Sequence, residues 1–250
     1  MQSDSEVAFS KYGVYIISSS LELFFPGVEI KIDKISDNVF SYLKKDLEGN
    51  VVEKKIPLKS SELKIEVAPI RPLNYPAKRT NYCFLEFESP VFLIESSSAT
   101  IFVQCPIEIG LFLIHDSHKD SLDWFTCDPA HSRFGLYGTP ESGTLCKYSK
   151  TPIVGSYNDS LDYFNGVIKI NLKNDLPGGH SISKIVFPII DVGLYYKDTK
   201  AIFDTVSGTL KKKITLETFD VEQETIQTDW TKSPDYERVE VVKRLKMDVD

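Results

Sequence analysis

Residues 115–132 (HDSHKDSLDWFTCDPAHS) concentrate the chemically capable side chains of this chain. Three of the four histidines, His115, His118 and His131, lie there with Cys127 and with Asp116, Asp120, Asp123 and Asp128. His115-x-x-His118 and Cys127-x-x-x-His131 could supply four ligands to a zinc ion, which takes imidazole nitrogen and thiolate sulfur in a tetrahedral shell. On an extended strand, residues three apart point to opposite faces, so the histidine pair works only if the chain turns at Asp116–Ser117. Catalytic zinc signatures normally sit on a helix or a fixed strand pair. The spacing therefore favours the plainer reading, a solvated polar loop capping a sheet.

Glu108 lies inside the most apolar run of the chain, residues 107–114 (IEIGLFLI). A buried carboxylate must be paired or protonated, and perturbed groups gather at functional sites. The structural alternative is a pair with Arg133 or Lys147, or a glutamate facing solvent on an edge strand. Residues 138–143 (GTPESG) are glycine-bounded, but no Lys follows the second glycine and a strand pattern continues. A hairpin explains them better than a phosphate cradle, with Pro140 setting φ and Gly143 supplying a positive φ. A GxSxG nucleophile elbow is absent. Trp124, Tyr157 and Tyr163 could stack a sugar, or anchor loops.

These groups must be carried by strands. Residues 14–18, 21–25, 28–32, 39–43, 51–57 and 63–67 are short apolar or alternating runs separated by turn signals such as Pro26-Gly27. Residues 82–87, 90–94, 100–105, 107–114 and 167–172 continue the pattern, with 107–114 a central strand covered on both faces. Residues 133–138 and 143–148 pair as a hairpin. Residues 148–165 read as a surface loop, 182–196 as a strand broken at Pro188, 201–206 and 211–219 as a hairpin about Ser207-Gly208, and 239–249 as a strand rather than a helix. Many short strands without βαβ alternation predict an all-β chain, an antiparallel β-sandwich with little helix. Residues 68–77 (APIRPLNYPA) are rich in proline, which lacks a ladder donor. They set the expected boundary between an N-terminal β-subdomain, 1–68, and a main β-sandwich domain, 69–250. A single large β domain is the alternative.

Fifteen Phe and 12 Tyr against two Met suit sheet cores filled with rigid rings. The net charge of -7 argues against a nucleic-acid partner. No apolar leader or run long enough to span a bilayer is present, so a cytoplasmic chain without membrane insertion is expected. Its four cysteines, Cys83, Cys105, Cys127 and Cys146, lack CxxC spacing and are expected as reduced thiols.

Residues 106–110 (PIEIG) and 136–148 (LYGTPESGTLCKY), with 68–76 upstream and 184–188 (KIVFP) downstream, resemble an archaeal family of unknown function. The resemblance runs over about residues 10–200. Genes of that family are associated in some genomes with small mechanosensitive channels, which implies a membrane-channel partner. It carries no catalytic residue over, and residues 115–131 lie outside it. The reading that results is a non-enzymatic binding or interaction module with a protein partner and no cofactor. The alternatives are a metal-binding protein or metal-dependent hydrolase on His115, His118, Cys127 and His131, and a carbohydrate-binding module.

Overall fold

A computed structural model of the chain describes residues 9–116, 118–213, 216–224 and 229–234. They are almost wholly β, as the alternation requires, and their only helical pieces are 3-10 turns at Tyr157–Asp159 and Ile189–Asp191. The expected strand at 239–249 lies outside the described residues. The chain divides into two compact units: residues 1–68 with 109–127, and residues 69–108 with 128–250. The first unit thus adds 109–127 to the N-terminal segment.

In the first unit, β1 (Gly13–Ile17), β2 (Ser20–Phe25), β3 (Val28–Ser36), β4 (Val39–Asp46), β5 (Val51–Pro57) and β6 (Leu63–Ile70) follow in quick succession. β2 to β5 form an antiparallel meander in chain order. Gly27, at φ 76°, occupies the β2–β3 turn, a backbone region that a Cβ disfavours. Inward residues Leu23, Ile30, Ile32, Phe40 and Tyr42 are at most 1% exposed. A second sheet runs β1-β6-β9-β10, with β9 at Glu108–His115 and β10 at His118–Phe125. β9 is interior to this sheet and buried over Glu108–Phe112, as an unbroken apolar run demands. β6 continues through Pro69 to Ile70, further into the proline-rich stretch than its composition suggests. Its ladder with β1 ends at Val67, so Pro69 removes no bond from that pairing.

The second unit holds β7 (Cys83–Leu93), β8 (Ser98–Pro106), β11 (Arg133–Tyr137), β12 (Thr144–Thr151), β13 (Ile153–Val154), β14 (Asn165–Asn174) and β15 (His180–Phe187). It continues with β16 (Leu194–Lys197), β17 (Lys200–Phe203), β18 (Thr205–Lys213), β19 (Leu216–Glu224) and β20 (Thr231–Lys232). One sheet has the order β11-β12-β7-β15, and another runs β13-β8-β14-β17-β16-β20 with β18 attached to β14 and β19 to β18. Their facing residues form one core. Cys83, Leu85, Phe87, Ile182, Ile185 and Phe187 of the first sheet cluster with Ile101, Val103, Ile168, Ile170, Leu172 and Phe203 of the second. Each such burial removes apolar surface from water, roughly 1.5–3 kcal/mol for a large side chain.

The sandwich is mostly antiparallel, but β12 pairs β7 in parallel, and β17 and β18 each pair β14 in parallel. Residues 148–165 are less loop-like than expected: β12 reaches Thr151, then β13 and a 3-10 turn capped by Ser156 follow. β18 runs straight through Ser207-Gly208, and β17 pairs with β16 instead, so the expected hairpin about those residues is not formed.

Candidate functional site

β12 alternates inward and outward, and both candidate constellations depend on it. Its inward Lys147 is 1% exposed and belongs to a buried polar cluster with Glu108. Glu108, also 1% exposed, starts β9 with its carboxylate aimed at the proline-rich segment. Proline supplies no N–H, so the amides left in that segment need acceptors once buried. Glu108 provides them. Its Oε1 accepts from the Asn74 amide at 3.0 Å and the Tyr75 amide at 2.9 Å. Its Oε2 accepts from the Asn74 amide at 3.2 Å and from Asn74 Nδ2 at 2.6 Å. Lys147 Nζ donates to the Tyr75 carbonyl, so the two ionisable groups hold one residue, Tyr75, by its N–H and by its C=O. The Tyr75-Pro76 bond that follows is cis.

Burial pushes the Glu108 carboxyl up to about 7, against the pull of its amide donors and of Lys147. Burial also lowers the Lys147 ammonium, against the pull of Glu108. Every polar atom of the Glu108 carboxylate is already engaged by the protein. The cluster therefore reads as a fastening for residues 74–82, helped by Thr80 Oγ1 donating to the Leu145 carbonyl at 2.6 Å. Of the two cations considered as partners of Glu108, Lys147 is the one that acts on its charge, at a distance and without an ion-pair contact; Arg133 projects from the opposite face of the sheet.

That opposite face carries the second constellation. Tyr148, the residue after Lys147, stands next to Phe84 of β7 with ring centroids 5.2 Å apart, edge to face. Phe84 in turn meets Tyr137 of β11 at 5.7 Å. Arg133 lies over the Tyr148 ring at 4.7 Å, and Lys184 of β15 over the Tyr137 ring at 5.8 Å. The register places Lys150 and Lys184 on either side of Glu86, whose carboxylate accepts from the Tyr148 hydroxyl at 2.9 Å. Gly135 makes the arrangement fit, since a Cβ there would stand 3.0 Å from Tyr148 Cβ. Tyr137 is 42% exposed, and Arg133, Lys150 and Lys184 are exposed. The result is a ring ladder rimmed by three cations, a surface suited to apolar, π and anionic contacts at once.

The residues considered as metal ligands lie outside both constellations. Residues 118–125 form β10 rather than a loop, and His115 is the register partner of His118 across the turn. Asp116 sits in that turn at φ 52°, and the two imidazole centroids are 6.2 Å apart. His115 Nε2 meets Asp120 Oδ2 at 2.5 Å, and His131 Nδ1 meets Asp128 Oδ1 at 2.7 Å. Cys127 is partly buried after the end of β10. Among the described residues no group of three or more His, Cys, Asp or Glu side chains is placed to hold a metal ion. Of the aromatics considered for sugar stacking, Tyr163 is a core residue, 1% exposed, and Tyr157 packs on Phe102 at 4.9 Å.

The ladder escaped the reading of the sequence. Arg133, Gly135 and Tyr137 alternate, which marks one face of β11, but the parallel pairing that brings Phe84 beside Tyr148 leaves no local signal. Compared with known families, the chain matches over residues 11–246 the model of one described as a protein of unknown function, DUF432. No curated protein matches it, and no solved structure does.

Proposed function

Because the chain belongs to the DUF432 family, whose description assigns no activity, we propose from its own surface that it is a non-enzymatic binding module for a protein partner. The observation that carries this is the ring ladder of exposed Tyr137, half-buried Tyr148 and buried Phe84, with the exposed Arg133 and Lys184 stacked on it. Aromatic and Arg side chains are the types enriched where proteins bind proteins, because they bury much area with little loss of rotamer freedom. Within this proposal the protein acts in the cytoplasm and its partner is a membrane channel, as the resemblance of residues 106–110 and 136–148 implies. Among the described residues no helix is long and apolar enough to cross a membrane.

The test is a photo-crosslinking amino acid placed at Tyr137 in the native host, with mass spectrometry of the adducts. A single channel subunit captured from Tyr137, and not from a control position such as Lys59, is the expected outcome. Equal adducts at both positions would refute a specific binding face. The metal-binding alternative has one observation in its favour, the opposition of His115 and His118 across the turn. Metal analysis separates the readings: the binding module is expected to carry under about 0.2 equivalents of zinc.

A further inference from the structure

Among the described residues β11 is the outer strand of its sheet, and this short edge, with Arg133 exposed on it, carries no bulge, proline or inward charge. Natural edges are protected by bulges, proline or inward charges. The opposite edge, β15, is interrupted by a register shift between Ile182 and Lys184. β11 pairs with β12 without a shift from Arg133 to Tyr137 and contains no proline. Its two exposed large residues project to different faces: Tyr137, 42% exposed, toward the ring ladder, and Leu136, 44% exposed, away from it.

The charge around this edge is also one-sided. Arg133, Lys150 and Lys184 share the ladder face with Glu86, and Glu86 is held by the Tyr148 hydroxyl. Glu88 is the next outward carboxylate along β7, beyond the residues paired with β12. Among the described residues none of these three cations has a carboxylate within ion-pair distance, in a chain whose net charge is -7. A strand laid against β11 would therefore meet cations and rings with every second side chain, and Leu136 with the alternate ones.

We propose that the edge of β11, which pairs with no further strand among the described residues, and the cation-rimmed ladder beside it take up an extended acidic peptide segment as an added strand. Its carboxylates face Arg133 and Lys184, and its intervening apolar side chains face Leu136. The proposal rests on the binding-module reading and names the chemistry of the partner. Polypeptide is favoured over other polyanions because a strand edge offers N–H and C=O groups in a spacing that only another backbone can pair. A dense polyanion such as nucleic acid would also meet the repulsion of the whole chain.

The experiment is fluorescence anisotropy on the full chain with a labelled decapeptide alternating glutamate and valine. Saturable binding that weakens with salt is expected, as for exposed charges separated from their partners by screening ions. Arg133→Glu with Lys184→Glu should weaken it at least about ten-fold, since like charges then oppose across the interface. Both side chains are exposed, and an unchanged melting temperature confirms that the variant folds. The same decapeptide methylated on alternate backbone nitrogens should not bind, because its ladder donors are gone. Equal binding by the methylated peptide would overturn strand addition. Tighter binding of a thymidine decanucleotide or of phosphatidylglycerol vesicles would overturn the choice of peptide. No binding of the alternating peptide would overturn the proposal, while a specific adduct at Tyr137 in cells would still uphold the binding module.

Discussion

Glu108 shows how a carboxylate in an apolar run acquires its properties. Its four hydrogen bonds and the nearby Lys147 favour the charged form, but burial outweighs them and lifts its pKa to about 7. Unfolded glutamate titrates near 4.3, so between about 4.3 and 7 the folded chain binds more protons than the unfolded one. This group's contribution to stability is thus complete below the unfolded value and is lost as pH rises through about 7. Lys147, lowered by burial, acts in the opposite sense, its contribution present above the unfolded lysine range and lost as pH falls. A carboxyl carbon titration of Glu108 by NMR is expected to show a midpoint near 7, and a midpoint below 4.3 would contradict the burial argument. Glu108→Gln sets an amide N–H against the donors of Asn74 and Tyr75. It should cost about 1–3 kcal/mol in urea unfolding at pH 7.

At the scale of elements, the β11–β12 hairpin is the best-determined piece of the second unit. Its turn places the positive φ at Gly138, 108°, rather than at Gly143 as the Pro–Gly spacing suggested. Gly143 is required for a different reason: a Cβ there would stand 2.6 Å from the Thr139 carbonyl oxygen and 2.7 Å from Leu136 Cγ. Gly143→Val should therefore destabilise by about 1–3 kcal/mol through a clash with backbone. Ser142→Ala loses only an exposed contact between Ser142 Oγ and Thr139 Oγ1 at 3.0 Å. Thermal melts of the two variants check this, and coincident midpoints would refute the close approach. Because Leu136 lies against Gly143, the valine variant should also shift the β11 edge.

On the scale of the whole molecule, the cysteines report how the units open. Cys83, Cys105 and Cys146 are buried in the second unit, whereas Cys127 is partly exposed. Burial pushes the Cys146 thiol up to about 12 and raises Cys105 as well, so neither supplies thiolate while folded. A thiol reagent should label Cys127 quickly and the other three only through unfolding, at rates that rise with urea. In denaturant without reductant the count should reach four thiols, since none of the four cysteines is cross-linked in a disulfide. A fast, urea-independent reaction at Cys83 would contradict the packing of the second core.

What the sequence by itself determined was local. Period-two alternation and turn residues specify strands wherever one face is buried, which is why β2 to β5, β9 and the β11–β12 hairpin were legible from composition and spacing. The apolar run around Glu108 likewise raised a buried carboxylate, with a solvent-facing edge position as the alternative, and burial is the outcome. Long-range pairing decided the rest. β10 was hidden because its outward residues are polar, His118 to Ser121, so only its ladder with β9 makes it a strand. The choice of Lys147 over Arg133 depended on which face of the sheet each occupies, and a one-residue shift in register would exchange them. The ring ladder exists only because β12 lies parallel to β7, setting Tyr148 beside Phe84 from residues 64 positions apart. No pattern within a strand encodes its neighbour, since pairing is set by how the two apolar faces close over a common core.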